Sequence, residues 1–410
     1  MSTNDGALSG LKVIDCATYV AGPAAATVMS DFGADVIKIE RPPDGDLWRT
    51  FPSIAGYPNS DLSYTWILTS RNKRSIALDL SQAPGRAALL SIVAGADVFV
   101  TNYQHSLLKK FEITWEDLRP LNPRLIYAHI TGYGDRGEDA DSPAFDGLAY
   151  WARSGLMTSV TGADRTPASA RPAMGDHPTA MTLFAAIMLG LYRRERTGIG
   201  SRVSTSLMAA GAWANSVDLQ AQLCGARFPV RKPGDRPINP LIAAYPSSDG
   251  HAMIIALLDP VREFPRLCAA LGEPELADNP LFATAEARGQ NAAALYAILQ
   301  SQFETQPLRE WRRLFREHDI KWSPLPTLEE AARDQQMRDC GAIIDFDFPG
   351  VGHFETIDSP LFVAESPKRT PQPPPGFGMY TREILREAGY SEKEVDHLIE
   401  IGAADARDRK

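Results

Sequence analysis

Cysteine is scarce in this chain: Cys16, Cys224, Cys268 and Cys340 stand far apart and form no CxxC pair. That spacing argues against a disulfide framework or a zinc ribbon and reads as reduced, mostly buried thiols. No run of about eighteen apolar residues occurs. The opening "MSTNDGALSG" also lacks the basic and apolar regions of a signal peptide, so a soluble, cytoplasmic protein with no membrane partner is expected. Positive charge is outweighed, with a formal net charge of -9, which disfavours a nucleic-acid or anionic-membrane surface. Catalytic signatures are missing as well. "YVAGPAAA" after the first strand pattern offers only Gly22, so the GxGxxG of a dinucleotide site fails where it should sit. There is no P-loop, HExxH, GxSxG or His/Cys ligand spacing, and no metal is expected.

What is present is an alternation of short apolar runs with helical patterns. "LKVIDCA", "GPAAATVMSDFG" and "DVIKIE" read strand, helix, strand, with Pro23 near the helix start and Gly33 at its end. "RSIALDL", "PGRAALLSIVAGA" and "DVFVTN" repeat the unit, and "RLIYAHITGYG" follows the amphipathic "WEDLRPLN". This is the pattern of an α/β, doubly wound parallel sheet. Two long helices are expected in 143–156 and 178–196. At 410 residues the chain exceeds the usual size of one core. A linker is read at 226–240, where "PVRKPGDRPINP" concentrates proline, glycine and charge. The large domain is then 1–225, completed by 340–410, and a smaller α+β domain occupies 241–330. Residues 331–410 return through the proline-stiffened "PKRTPQPPPGFG" (367–378).

Two cationic places stand out. Arg41 follows the second strand in "IERPPDGD", and "SRNKRS" (70–75) precedes the third. In open parallel sheets ligands bind beyond the carboxyl ends of strands, where cations suit the phosphates of a phosphorylated adenosine; a solvated turn is the plainer account of such a cluster. Asp176 lies in "PAMGDHPTAMTLF", directly before a long helical pattern. It reads either as the helix N-cap, worth roughly 0.5–2 kcal/mol, or as a reactive carboxylate kept ionised by the helix start.

The ordered set "GLKVIDCATYVAGPAAATVMSDFGADVIKIERPPDGD", "NKRSIALDL", "NPRLIYAHITGYG", "GLMTSVTG", "GDHPTA" and "YRRERTGIGSRVSTSL" closely resembles the class III coenzyme A-transferases, of the formyl-CoA and carnitine-CoA transferase type. The resemblance runs from Leu8 to Asn215 and continues more weakly to the end. It implies a Rossmann-like large domain, a small domain and an interlaced homodimer. It also implies acyl-CoA and a carboxylic acid as substrates, with no permanently bound cofactor. The Gly175-Asp176 step matches the family's catalytic aspartate. Arg41 and the Asn72-Lys73-Arg74 step match residues that meet the CoA nucleotide. Asn102 and Tyr103 stand at the Asn-Phe pair of the CoA channel, Lys110 stands at an arginine, and Tyr133 matches a tyrosine near the aspartate.

Some positions depart from the family pattern. Val20 replaces a glutamine before Ala-Gly-Pro, a glycine-rich loop is missing after 225, and "GEHT" reads "GMYT" at 378–381. A substrate larger than formate or oxalate is therefore expected, with Tyr150 and Trp151 in "AYWARSG" as walls or as core. The alternative of a 2-methylacyl-CoA racemase shares the resemblance, but its "GHD" step reads "AFD" here, and Phe145 cannot move a proton. His177 is the remaining acid/base group beside Asp176.

Overall fold

The computed structural model describes residues 6–53, 57–161, 166–168, 170–228, 239–348 and 352–406. The expected linker lies mostly outside them. The chain divides into two compact units, the first of residues 1–162, 166–228 and 342–410, the second of 163–165 and 229–341.

The first unit is built on a seven-stranded sheet. Its strands are β1 (Lys12–Cys16), β2 (Asp35–Glu40), β3 (Lys73–Leu78), β4 (Val98–Thr101), β5 (Ile126–Thr131), β6 (Ser201–Ser206) and, much later, the two-residue strand Ala404–Asp405. From the edge inward the order is Ala404–Asp405, β3, β2, β1, β4, β5, β6. All neighbours run parallel except the last-made strand, which lies antiparallel on β3. Successive residues face opposite layers. Val13, Val36 and Val98 enter one core with Met29, Leu183 and Ile187; Ile14, Ile37 and Phe99 enter the other with Leu89, Ile92 and Leu385. Burial on both faces is why these strands read as continuous apolar runs.

The helix Ala21–Asp31 carries Pro23 in its first turn, where a missing N–H costs nothing, and the chain leaves it through Gly33 at φ 102°. The helix Asp176–Thr197 packs on it through Leu183 and Ile187 and crosses β5 and β6 at Gly190. A Cβ on Gly190 would come within 3.1 Å of Ile126 and 3.2 Å of Val203. The expected long helix in 143–156 is instead a wide-turned helix, Gly147–Arg153, and a short one, Leu156–Ser159. Gly155 breaks them apart by taking φ 78°.

A hairpin of β7 (Ile242–Pro246) and β8 (Ala252–Ala256), with β9 (Trp322–Pro324) beside it, forms an antiparallel sheet in the second unit. Tyr245, Phe264, Phe303, Trp311 and Phe315 close its core. Strands β10 (Ile343–Phe348) and β11 (Gly352–Ile357) form a separate antiparallel pair in the first unit. The protein is thus a mixed α/β fold with one large, mostly parallel sheet and smaller antiparallel ones. Among the described residues no helix is long and apolar enough to cross a membrane.

Candidate active site

Strand order reverses at β1, which has β2 on one side and β4 on the other. Loops leaving the carboxyl ends diverge there and leave a crevice. A cavity of about 620 Å³ opens at this point, lined by Thr18 and Tyr19 after β1, Arg41 after β2, Asp79 to Ser81 after β3, and Asn102, Tyr103 and Lys110. Four residues expected to meet CoA, namely Arg41, Asn102, Tyr103 and Lys110, are therefore brought together. Arg41 and Lys110 are exposed and make no ion pair within 4 Å with a described residue, though the Arg41 charge helps to hold the carboxyl of cavity-lining Asp79 below its usual range. Asn102 holds the cavity floor: its amide donates to the Thr18 carbonyl at 2.8 Å and accepts from the Thr18 amide at 2.9 Å.

The Asn72-Lys73-Arg74 step is elsewhere. It begins β3, so it lies at the amino edge of a sheet whose neighbouring strands run parallel, opposite the crevice. Lys73 is buried and donates to Asp15 at 2.8 Å and to the carbonyls of Pro23 and Thr69. Arg74 pairs with Asp35, Glu383 and Glu387. Asn72 bonds Asp31 and the Gln372 amide. These groups are consumed by the fold and are not a phosphate loop. Val20 is likewise a core residue, 2% exposed and packed with Ala24 and Met29. Its neighbour Tyr19 faces the cavity instead.

Tyr19 is held in the left-handed region, φ 61°, a costly conformation for a tyrosine. Asp46 accepts its amide at 3.2 Å and also the Trp48 amide at 3.0 Å. Asp46 is in turn ion-paired with buried Lys38 at 2.9 Å. The strained turn swings the Tyr19 ring edge-on to Phe145, 5.7 Å between centroids, with Trp48 at 6.4 Å and Phe51 and Tyr57 beyond.

The next residue, Asp146, is buried and accepts from the Gly147 amide at 2.8 Å and the Gly175 amide at 2.9 Å. The path from the CoA-sized cavity thus runs through Tyr19, Phe145 and Asp146 to the start of the long helix. Gly175 is the cap position there, and Asp176 is its first residue, with no side-chain cap bond. The expectation that Asp176 caps the helix is corrected by one position. Its charge state is corrected too: burial, and then the Asp146 carboxylate, push the Asp176 carboxyl up to about 7. Gly175 is needed for closeness, since a Cβ there would lie 2.5 Å from Cγ of Tyr150. Tyr150 is buried with Ala149, Leu207 and Ala210, and Tyr133 packs on this cluster. His177 is half-buried and lines an apolar cavity of about 370 Å³ with Arg71, Met181 and Asp358. Burial, then the charge of Arg71, lowers its pKa.

A model of CoA-transferase family III matches residues 8–381. The chain belongs to that family. It is 31% identical over 402 residues to cinnamoyl-CoA:phenyllactate CoA-transferase of Clostridium sporogenes, covering 97% of each chain. It is 30% identical to succinyl-CoA:glutarate CoA-transferase of Mus musculus, over 98% of this chain and 91% of that one. A CAIB/BAIF family protein from Brucella suis has a solved structure that matches with a TM-score of 0.81 at 29% identity, covering 94% and 100%. The protein is a class III CoA-transferase enzyme, acting on CoA thioesters and acids. Among the residues that line or border this candidate site, sequence reasoning missed Tyr19, Asp146 and the Asp79–Ser81 turn. Only Asp146 left a trace, in the "AFD" step; its partner Gly175 is 29 residues away.

Proposed function

We propose that the protein moves coenzyme A from an acyl-CoA donor to a free carboxylic acid through covalent intermediates on Asp176. The observation that carries this reading is geometric: the half-buried Asp176 carboxyl at the start of the long helix is joined through Gly175, Asp146, Phe145 and Tyr19 to a crevice where Arg41 and Lys110 are exposed, and burial with the Asp146 charge pushes that carboxyl up to about 7. A carboxylate of raised basicity is a better nucleophile than an exposed one and is about half ionised near neutrality. Asp176 attacks the donor thioester carbonyl, and CoA leaves as thiolate, giving an aspartyl-acyl anhydride. The thiolate attacks the Asp176 carbonyl, and the donor acid departs, leaving an aspartyl-CoA thioester. The acceptor carboxylate attacks that thioester to form a second anhydride, and the thiolate then takes its acyl group. Arg41 and Lys110 hold the nucleotide phosphates as point charges.

The rings of Tyr19, Trp48, Phe51 and Phe145 favour an acid larger than two carbons, branched or aromatic. The relatives named for phenyllactate and glutarate point the same way. We also propose a homodimer. Trp213, 82% exposed, and its neighbours Val217 and Leu223 form an apolar surface that a second copy would cover.

Mixing protein with acyl-CoA and quenching with hydroxylamine tests the chemistry, because it converts anhydride or thioester to a hydroxamate. Peptide mass spectrometry should find the adduct on Asp176 and none in Asp176→Asn. An unmodified Asp176 under turnover would refute the covalent route. A panel of acids with succinyl-CoA, scored for new thioesters, should rank phenyllactate and glutarate above oxalate.

A further inference from the structure

Away from Asp176, at the far side of the Asn102–Gln104 loop, three side chains from separate elements converge. His129 is on β5 and 1% exposed. Its Nε2 lies 2.9 Å from the Tyr103 carbonyl oxygen. A carbonyl only accepts, so this nitrogen carries the proton, and in the neutral ring Nδ1 is left as a bare lone pair. Among the described residues Nδ1 has no hydrogen-bond partner, and neither does the buried Nε2 of His105, at the start of the helix His105–Phe111. Both point at one atom, Asp135 Oδ1, at 3.6 Å and 3.4 Å respectively. The three ligand atoms lie within 4.8 Å of one another.

We propose that His105, His129 and Asp135 form a binding site for a divalent cation of the zinc class. Zinc bonds of about 2.0–2.2 Å in a tetrahedron place neighbouring ligand atoms about 3.4 Å apart. Two of the three edges here, 3.4 Å and 3.6 Å, already have about that length, and Asp135 is exposed to solvent. Two of the three ligands have the outer support that such sites need. The Tyr103 carbonyl fixes the His129 ring, and Ser204 Oγ donates to Asp135 Oδ2 at 3.2 Å. Arg202 sits 2.9 Å from Asp135 Oδ1, so its guanidinium is the cation that an incoming ion displaces. Lys109 borders the adjoining cavity of about 530 Å³ and adds to that competition. Sequence spacing hides the set, because "YQHSLL", "IYAHIT" and "GYGDRG" belong to a helix, a strand and a loop. An ion held here would brace the Tyr103 backbone from behind the CoA cavity, without touching the reacting carboxyl.

The test uses full-length protein stripped of metal with a chelator, then titrated calorimetrically with Zn²⁺ and, separately, with Co²⁺ while the visible spectrum is recorded. One ion per chain is expected, with the intense visible bands of tetrahedral cobalt. His105→Ala and Asp135→Asn should each weaken Zn²⁺ by more than about tenfold, and Arg202→Ala should strengthen it. His129 is a core residue whose loss threatens folding, so half-buried His105 carries the test. Absence of stoichiometric binding, or affinity unchanged in both His105→Ala and Asp135→Asn, would overturn the assignment.

Discussion

Asp146 and Asp176 are joined through one residue: the Asp146 carboxylate accepts the Gly175 amide proton at 2.9 Å, and Gly175 carries Asp176 next in the chain. The bond fixes the backbone from which the nucleophile projects. The same negative charge makes ionising Asp176 harder.

Asp146→Asn separates those two effects. An asparagine oxygen can still accept the Gly175 amide, while the repelling charge is gone. The acid limb of the kcat/KM profile, expected near pH 7 for the wild type from the raised Asp176 pKa, should move to lower pH in the variant. The move should be partial, because burial is the larger cause. An unmoved limb would mean that another group titrates.

Asp176→Asn should abolish transfer and stabilise the protein at neutral and higher pH. The carboxyl's pKa is 3.8 when unperturbed and about 7 in the fold, so the native state keeps a proton that the unfolded chain has released. This contribution favours folding at low pH and is lost as pH rises through about 7. The variant's advantage in unfolding free energy, measured in urea, should therefore grow from pH 4 to pH 7 and level off above it, reaching at most ~4 kcal/mol. An advantage that is flat with pH would contradict the raised pKa of Asp176.

Arg41→Ala and Lys110→Ala should raise the KM for acyl-CoA more than they lower kcat, since phosphate contacts act on ground and transition states alike. Arg74→Ala should leave that KM unchanged and cost about 1 kcal/mol or less in urea, as its partners are solvated. A raised KM in Arg74→Ala would restore the cationic step to the CoA site.

Lys73→Met should be far more damaging. It strips a buried pair of one member, leaving Asp15, among the described residues, with Lys38 at 3.9 Å as its remaining ion pair. About 3–5 kcal/mol should be lost, read as a drop in the urea midpoint. Burial holds the Lys73 pKa down to about 8, against the pull of Asp15. The pair is thus costly to form, yet costlier to break.

Arg41 and the 72–74 step show what sequence makes legible. Both are cations beside an apolar run, but one follows its strand and the other precedes it. In a parallel sheet that order alone decides which edge a charge occupies, and composition is blind to it. The sheet itself was readable because both faces of β1, β2 and β4 are buried. Asp176 was readable through its neighbours in the chain, with an error of one position at the cap, where a helix start is set by backbone angles. Asp146 and the His105, His129 and Asp135 cluster depend on contacts between distant segments and leave no periodic mark. Tyr19 was hidden by its conformation: the alternation of a strand would send its ring elsewhere.

The strand Ala404–Asp405 closes the edge at β3, and Pro375 and Gly378 bond Arg49, Trp66 and Ser75. During synthesis those partners must wait while the whole second unit, to Gly341, leaves the ribosome. For that interval the β3 edge is open, a template for any other strand. The later unit can mature before the earlier one is sealed, so the order of completion is the reverse of the order of translation.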